Sequence, residues 1–235
     1  MLYCYAPGRG AEHAVALLKD FAGVLQTDGY AAYQGLTSPN REGGPVTLAH
    51  CWAHVRRKFF DIAQGSPSPI AAEALRRIAD LYQIEAEIRG QSAAARRAVR
   101  QDRAKPAVEA LKAWFLERLA EVSSKSVIAG AIRYALGLWE GLVRFLDDGR
   151  IEIDSNTVER SMRPVALNRK NALFAGSDEG GANWALLASL IETCKLNGVN
   201  PQAWLTDVLT KLVNNWPNSR LDELMPWAWN LAKRP

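Results

Sequence analysis

The fold of this chain is decided at residues 23–30, which read GVLQTDGY. A short apolar run that ends in Asp-Gly predicts a strand whose last carboxylate, that of Asp28, lies at the rim of a sheet. A helix is predicted over residues 12–21, and a β-prone run over residues 2–5 precedes it. Two strands that are connected through a helix usually pair in parallel. Ligand-binding and active sites in such sheets lie at the carboxyl ends of the strands.

A third β-prone stretch lies at residues 46–52, VTLAHCW, and predicts a strand that runs into a helix. Apolar residues recur in that helix every three or four positions and predict its buried face: Trp52, Val55, Phe59 and Ile62. A basic triplet falls outside this face and is expected to be exposed: Arg56, Arg57 and Lys58.

Four segments of different composition follow one another along the chain. The long middle segment is rich in Ala, Leu, Glu and Arg with few helix breakers, which predicts several helices. The predicted fold class is therefore α/β with a large all-α insertion. The segments are an α/β part over residues 1–65, the helical insertion over 66–148, a return to the α/β part over 149–200, and a C-terminal helix with a Pro-Trp tail over 201–235.

The return to the α/β part begins with residues 150–154, which alternate like a short strand. A helix that carries Glu159 comes next, and a Gly-rich loop over residues 175–181 follows it. Two amphipathic helices are then predicted over residues 184–196 and 201–213. The apolar tail is expected to be a short latch.

The composition is that of a globular protein, because 48% of the residues are hydrophobic and eight are tryptophans. The net charge of +4 permits a polyanionic partner without demanding one. Cys4, Cys51 and Cys194 are odd in number and form no Cys-x-x-Cys pair, which predicts free thiols in a cytosolic protein. No apolar run reaches the roughly 18 to 20 residues of a membrane span, so we expect a soluble intracellular protein.

Asp28 and Glu159 are the candidate catalytic and metal-binding residues. A strand that ends in Asp and a helix that carries Glu toward the same rim provide oxygen ligands for hard divalent cations. Two carboxylates are fewer than a pair of metal ions generally needs, and no comparable acid stands on a strand before Asp28. An Asp-Gly pair also serves in many proteins only to make a turn.

Glu159 also has a purely structural interpretation. Asn156 and Glu159 have the spacing of a capping box, with Ser155 or Asn156 as the N-cap, and Glu159 with Arg163 has the spacing of an ion pair. In favour of a site, Asn156, Glu159, Arg160 and Arg163 fall on one helix face, which suits a nucleic-acid backbone.

His50, Cys51 and His54 offer three zinc-type ligands, with Cys51 and His54 on one helical face. Beyond His13 and the other cysteines nothing remains to complete four-coordination, so a packed, hydrogen-bonded histidine is the competing interpretation. His54 also suits a proton relay or a phosphate donor near the acidic site.

Two further basic clusters could either be solvent-exposed surface or bind phosphates. Arg160, Arg163, Arg169 and Lys170 lie beside the Gly-rich loop, where backbone recognition and a merely solvated loop both explain them. Residues 89–105 carry six basic side chains against the single acid Asp102, and a solvated helix face is the alternative to a phosphate-contacting surface.

Several long motifs occur in a fixed order across nearly the whole chain. They are LQTDGY at residues 25–30, CWAHVRRKF at 51–59, IDSNTVER at 153–160, RPVALNRKN at 163–171, LFAGS at 173–177, SLIETCKLNG at 189–198 and a closing Leu-x-Pro-Trp-x-Trp at 224–229. Together they resemble transposases of the insertion-sequence-66 type.

The resemblance implies a ribonuclease-H-like core with an Asp-Asp-Glu metal triad that cuts and joins DNA at the ends of a mobile element. Asp28 matches the second Asp, Glu159 matches the Glu, and Cys51 with His54 matches a Cys-x-x-His motif often placed between them. Two Mg²⁺ or Mn²⁺ ions are the implied cofactors. Double-stranded DNA of the element ends and target is the implied partner, bound by a homo-oligomer in the bacterial cytoplasm or nucleoid.

In this family the first Asp lies upstream of the region where this chain begins, so the resemblance implies an N-terminally truncated core. We expect the C-terminal part of a transposase that is inactive alone. A non-catalytic DNA-binding or inhibitory partner and a decayed remnant are the alternatives. The residues expected to bind DNA are Arg56, Arg57, Lys58, Arg160, Arg163, Arg169 and Lys170, with Cys51, His54 and Asn156 supporting the site.

Overall fold

The computed structural model describes residues 1–168 and 175–229. These residues are mostly helical and contain a small two-stranded parallel sheet. The chain divides into two compact units, of which one is Gly10–Glu159 and the other combines Met1–Arg9 with Arg160–Pro235. No helix in the described ranges is both long and apolar enough to cross a membrane.

The sheet consists of β1 (Gly23–Thr27) and β2 (Val46–His50), which run parallel with Thr27 opposite His50. Both strands lie where the sequence predicts them. Helix α1 (Ala11–Leu17) precedes β1 and is shorter than predicted, and a 3-10 helix, Ala31–Thr37, lies between the strands. The carboxyl ends of β1 and β2 therefore share one edge of the sheet.

The strand predicted over residues 2–5 is wrong, because this segment has no strand partner. The amide of Tyr3 donates to Ser189 Oγ and its hydroxyl donates to the carbonyl of Ser161. Contacts with helical residues thus take the place of a backbone ladder.

The strand predicted over residues 150–154 is also wrong. Its carbonyl groups accept hydrogen bonds from other elements of the same unit, so they are not available to a strand ladder. Ile151 accepts from the Arg100 side chain, Glu152 from the Gln26 side chain, and Ile153 from the Trp52 amide.

The middle of the chain is helical, as predicted. Its helices are α2 (Trp52–Gly65), α3 (Pro69–Glu87), α4 (Ala93–Val99), a π-helical turn (Arg100–Ala104), α5 (Lys105–Glu121), α6 (Val127–Gly137), α7 (Trp139–Val143) and a 3-10 turn (Arg144–Leu146). The face of α2 is confirmed in part, since Trp52, Val55 and Phe59 are buried and Ile62 is partly buried.

One hydrophobic core joins α2 to the helices that follow it. Phe59 of α2 stacks on Phe115 of α5 with ring centroids 5.3 Å apart. The indole of Trp52 is buried and donates to the carbonyl of Leu142 at 2.9 Å. The predicted segment boundaries at residues 66, 149 and 201 are not tested by these contacts and stay predictions.

The basic stretch over residues 89–105 is neither a solvated helix face nor a phosphate-contacting surface along its whole length. Arg100 is fully buried and pairs with Glu85, and Arg96 is largely buried and pairs with Glu85 and Glu152. Arg103 is exposed and pairs with Glu87. Opposite charges from other elements therefore hold these arginines.

The other unit contains the helical residues after 159. They form most of α8 (Asn156–Asn168), then α9 (Asp178–Leu196), α10 (Pro201–Val213), a 3-10 helix (Asn218–Leu224) and α11 (Pro226–Trp229). Helix α10 has the predicted bounds. Helix α9 begins inside the predicted Gly-rich loop, because the Ser177 side chain caps it by accepting from the Gly180 amide.

The apolar tail is a latch, as predicted. Trp229 is buried and its indole donates to Asp207 Oδ2 on α10 at 2.7 Å. The Trp204 indole donates to the carbonyl of Leu224 at 2.8 Å, which joins α10 to the chain just before α11. Cys194, Val199 and Val208 also belong to this second core.

A Gly141→Ala substitution tests the close packing of α7 on β2. An added Cβ would lie 2.3 Å from His50 Cδ2, so we expect a loss of about 1 to 3 kcal/mol in the free energy of unfolding. Gly130→Ala in α6 is the matched control, because nothing lies within 4 Å of its added Cβ, and it should stabilise by up to about 1 kcal/mol. Urea unfolding measures both, and equal effects would contradict the packing described.

Candidate active site

Asp28 follows β1 directly, and its side chain is exposed. Its Oδ1 accepts from the Tyr30 amide at 3.0 Å, and its carbonyl accepts from the Tyr134 hydroxyl at 3.0 Å. Gly29 has a φ of +86°, and an added Cβ would also meet Leu138 at 2.7 Å. The Asp-Gly pair therefore makes the turn, and Tyr134 holds its backbone from α6.

Tyr134 is a residue that the sequence analysis missed. It lies on a helix 106 residues away from Asp28, and a single tyrosine in a helical pattern gives no signal of such a contact. Burial, followed by the charges of Asp28 and Cys51, raises the pKa of Tyr134. The hydroxyl is therefore a stable hydrogen-bond donor to the turn.

His50 ends β2 and is buried. Its Nδ1 lies 3.2 Å from Thr27 Oγ1, across the two strands. Burial and, next, the charge of Arg144 lower the pKa of His50, against the opposing effect of Asp28. A neutral, hydrogen-bonded His50 is the packed histidine of the sequence analysis.

Cys51 ties the edge of the sheet to the start of α8. Its buried Sγ accepts from the Ser155 amide at 3.2 Å. The Trp52 amide donates to the Ile153 carbonyl at 3.1 Å, and the Glu159 amide donates to the Ser155 carbonyl at 3.0 Å. These bonds place the first turn of α8 beside the carboxyl end of β2.

The Glu159 carboxylate lies beside His54, which is in the first turn of α2. Glu159 Oε1 lies 3.7 Å from His54 Nε2, and both side chains are partly exposed. The Asn156 amide donates to Asp154 Oδ1 at 3.0 Å, and the Asn156 side chain also donates to Asp154. Asp154 thus accepts from the Asn156 amide, which is the bond that the capping-box interpretation assigned to Glu159.

The zinc interpretation of His50, Cys51 and His54 gains no support. His50 Nδ1 lies against Thr27, and Cys51 Sγ accepts the Ser155 amide. Within residues 1–168 and 175–229, no three or more His, Cys, Asp or Glu side chains are grouped so that they could hold a metal ion.

The same finding limits the predicted magnesium site. Asp28 and Glu159 have the oxygen donors that Mg²⁺ prefers. In the described part of the chain, however, they do not form a group of three ligands with any other residue. The magnesium site therefore stays a prediction.

The basic triplet after His54 is exposed, as predicted: Arg56, Arg57 and Lys58. The Lys58 ammonium lies 5.4 Å from the centre of the Tyr134 ring, which places one positive charge near the turn of Asp28. Arg160 and Arg163 are exposed on α8. Arg169 and Lys170 lie outside the described residues.

Comparison with known proteins finds two family profiles that together match most of the chain. The family profile described as "Transposase IS66 family" matches residues 1–183, and that described as "IS66 C-terminal element" matches residues 189–227. No solved structure matches.

Similar curated proteins are found in Sinorhizobium fredii (strain NBRC 101917 / NGR234). The uncharacterized protein y4qI is 46% identical over 96% of this chain and 42% of its own length. The uncharacterized proteins y4jD and y4hP are 47% and 40% identical, over 97% and 98% of this chain and 45% and 44% of their own lengths. The chain therefore spans less than half the length of these relatives.

The lowered pKa of His50 predicts a pH dependence of stability. Below the ordinary histidine pKa of about 6.5 the unfolded state takes up a proton that the folded state still excludes. This contribution is therefore present above that pH and is lost as the pH falls through the folded-state pKa. We expect the urea midpoint to fall less between about pH 7.5 and 5.5 in His50→Asn than in the wild type. An identical fall in both proteins would show that His50 is not held neutral.

Proposed function

Because the chain belongs to the IS66 transposase family, we propose that it is the catalytic part of a transposase that cuts and joins DNA phosphodiesters at the ends of a mobile element. The observation that carries the proposal is the placement of two acids. Asp28 follows β1, and Glu159 is tied through Ser155 and Cys51 to the end of β2. Sites in parallel α/β sheets lie at this edge.

We also propose that β1, β2 and α8 belong to a ribonuclease-H-like core. The parallel register of the strands and the position of Glu159, in the first turn of α8 beside the carboxyl end of β2, support this assignment. The remaining strands of such a core would come from a longer protein, and the length of the relatives is compatible with this.

In this proposal Asp28 and Glu159 supply two of the oxygen ligands for Mg²⁺ or Mn²⁺, and a third acid from outside the described residues completes a site for two ions. When bound, such ions lower the pKa of an attacking water or 3′-hydroxyl and stabilise the leaving oxygen. The Tyr30 amide orients Asp28, and His54 lies beside the Glu159 carboxylate.

The exposed basic residues are proposed to hold DNA phosphates. Arg56, Arg57 and Lys58 lie on the helix that also carries His54, and Arg160 and Arg163 follow Glu159 on α8. Arg169 and Lys170 extend the same basic sequence. Double-stranded DNA of the element ends and target is the proposed partner, and assembly of a homo-oligomer on it is part of the proposal.

A second candidate function is a non-catalytic DNA-binding or inhibitory partner of a complete transposase. The incomplete set of metal ligands among the described residues favours it, together with the exposed basic triplet. DNA binding that weakens steeply with salt, without cleavage in Mg²⁺ or Mn²⁺, would support this alternative.

Asp28→Asn and Glu159→Gln test the catalytic proposal in a chimaera in which this chain replaces the matching region of y4qI. Each change removes a carboxylate charge but keeps the side-chain shape, so we expect strand cleavage in Mg²⁺ to fall at least about a hundredfold. DNA affinity should stay within about twofold, because phosphates are bound elsewhere.

The matched controls are Asp20→Asn and Glu109→Gln, which alter exposed acids away from the two strand ends. Both should cleave like the unmodified chimaera. Undiminished cleavage in the Asp28 and Glu159 variants would refute the proposal, and an unmodified chimaera that binds DNA without cutting it would favour the second function.

The basic triplet is tested by changing Arg56, Arg57 and Lys58 together to Gln. Each lost phosphate contact should reduce the slope of log K against log salt by about 0.9 on duplex DNA, and affinity should fall on every sequence. The control changes three exposed, ion-paired arginines, Arg76, Arg103 and Arg150, to Gln and removes the same charge. Equal losses in both triple variants would show a net-charge effect and no local DNA contact.

A further inference from the structure

Arg100 is the most deeply buried charged side chain of the Gly10–Glu159 unit, with no exposed surface. It begins the π-helical turn after α4. Its Nε and Nη2 donate to the two carboxylate oxygens of Glu85 on α3, each at 2.7 Å. A bidentate pair of this kind compensates a buried charge that would otherwise be very costly.

The remaining nitrogen of Arg100 points at the main chain. Its Nη1 donates to the carbonyls of Phe145, Asp148 and Ile151 at 2.8, 3.2 and 2.9 Å. These carbonyls belong to residues 145–155, which we call the connecting segment because it leads from α7 to α8. Most of the segment has no helix or strand bonds of its own, so its buried polar groups need partners from elsewhere.

The far end of the connecting segment carries the contacts of the candidate site. Arg96 forms two bonds with the Glu152 carboxylate, at 2.7 and 2.9 Å, next to the Glu152 carbonyl bound by Gln26. The bonds of Ile153 to Trp52 and of Ser155 to Cys51 follow within three residues. Glu159 comes one turn later, so its position depends on where this segment lies.

We infer that the Glu85–Arg100 ion pair is a positioning device for Glu159: it fixes the connecting segment, and thereby the first turn of α8, against the end of β2. A role of the Glu85–Arg100 pair in DNA cleavage rests on the proposed function. Its role in fixing the connecting segment does not. A pair that only filled the core could be replaced by apolar side chains of similar size without loss. A positioning pair could not be replaced in this way without loosening the connecting segment, because only the guanidinium donates to the three carbonyls.

The inference is tested by hydrogen exchange of the 235-residue chain. Arg100→Lys keeps the charge but cannot provide the bidentate fork and the three carbonyl bonds together. We expect amides of residues 151–159 to exchange at least about tenfold faster than in the wild type, while those of α9 and α10 are unchanged.

Cysteine alkylation gives a second readout at the same place. Loss of the Ser155 contact should expose Cys51, so iodoacetamide should label it faster in Arg100→Lys. Peptide mapping distinguishes it from exposed Cys4, which is labelled in every variant, and from buried Cys194 in the other unit, which stays protected.

A double variant, Glu85→Leu with Arg100→Met, separates positioning from stability. It removes both charges, so no buried charge loses its partner and the urea midpoint should fall only by the cost of the three lost carbonyl bonds, yet exchange at residues 151–159 and labelling of Cys51 should stay fast. The matched control is Glu87→Leu with Arg103→Met, which removes the exposed pair on the same two elements and should leave both readouts as in the wild type.

Wild-type exchange and labelling in both Arg100 variants would overturn the inference. If Arg100→Lys fails to fold, the double variant decides alone. Neither readout needs DNA or metal, so a failed cleavage assay leaves the result valid. In the chimaera, Arg100→Lys should slow cleavage at unchanged DNA affinity, whereas unchanged cleavage with fast exchange would refute the positioning role.

Discussion

The need to satisfy the polar groups of one irregular segment governs the geometry of the candidate site. Between α7 and α8 the chain turns through residues 147–155 without regular secondary structure, although part of it is buried. Its carbonyls find partners on Arg100, Gln26 and the amide of Trp52. Each partner lies on a different element, so the segment is a junction of the sheet with the helices.

The two acids reach the strand ends by different means. Asp28 is held by a local turn that needs Gly29 and by a distant hydroxyl from Tyr134. Glu159 is held by the connecting segment and lies beside His54. A local turn is encoded by two neighbouring residues. The position of Glu159 depends instead on four separate parts of the chain, which contain Gln26, Cys51 with Trp52, Glu85, and Arg100.

This difference shows how much of the fold and site could be predicted from the sequence. Both strands, α2 and α10 were predicted because apolar spacing is a local property. The strand predicted over residues 150–154 was wrong because its carbonyls accept from the Arg100 and Gln26 side chains and the Trp52 amide, which the alternation of its own side chains does not reveal. Arg100 looked like one of several surface charges, since its burial depends on Glu85, 15 residues earlier. Tyr134 gave no sequence signal at all.

The central proposal is that Asp28 and Glu159 contribute ligands to the same metal site, and Mn²⁺ titration of the chain followed by amide NMR tests it most directly. Paramagnetic broadening should appear together at residues 28–30 and 157–160, and Glu159→Gln should abolish the broadening at residues 28–30. Persistence of that broadening in the Glu159 variant would contradict the claim. So would broadening scattered evenly over the exposed acids.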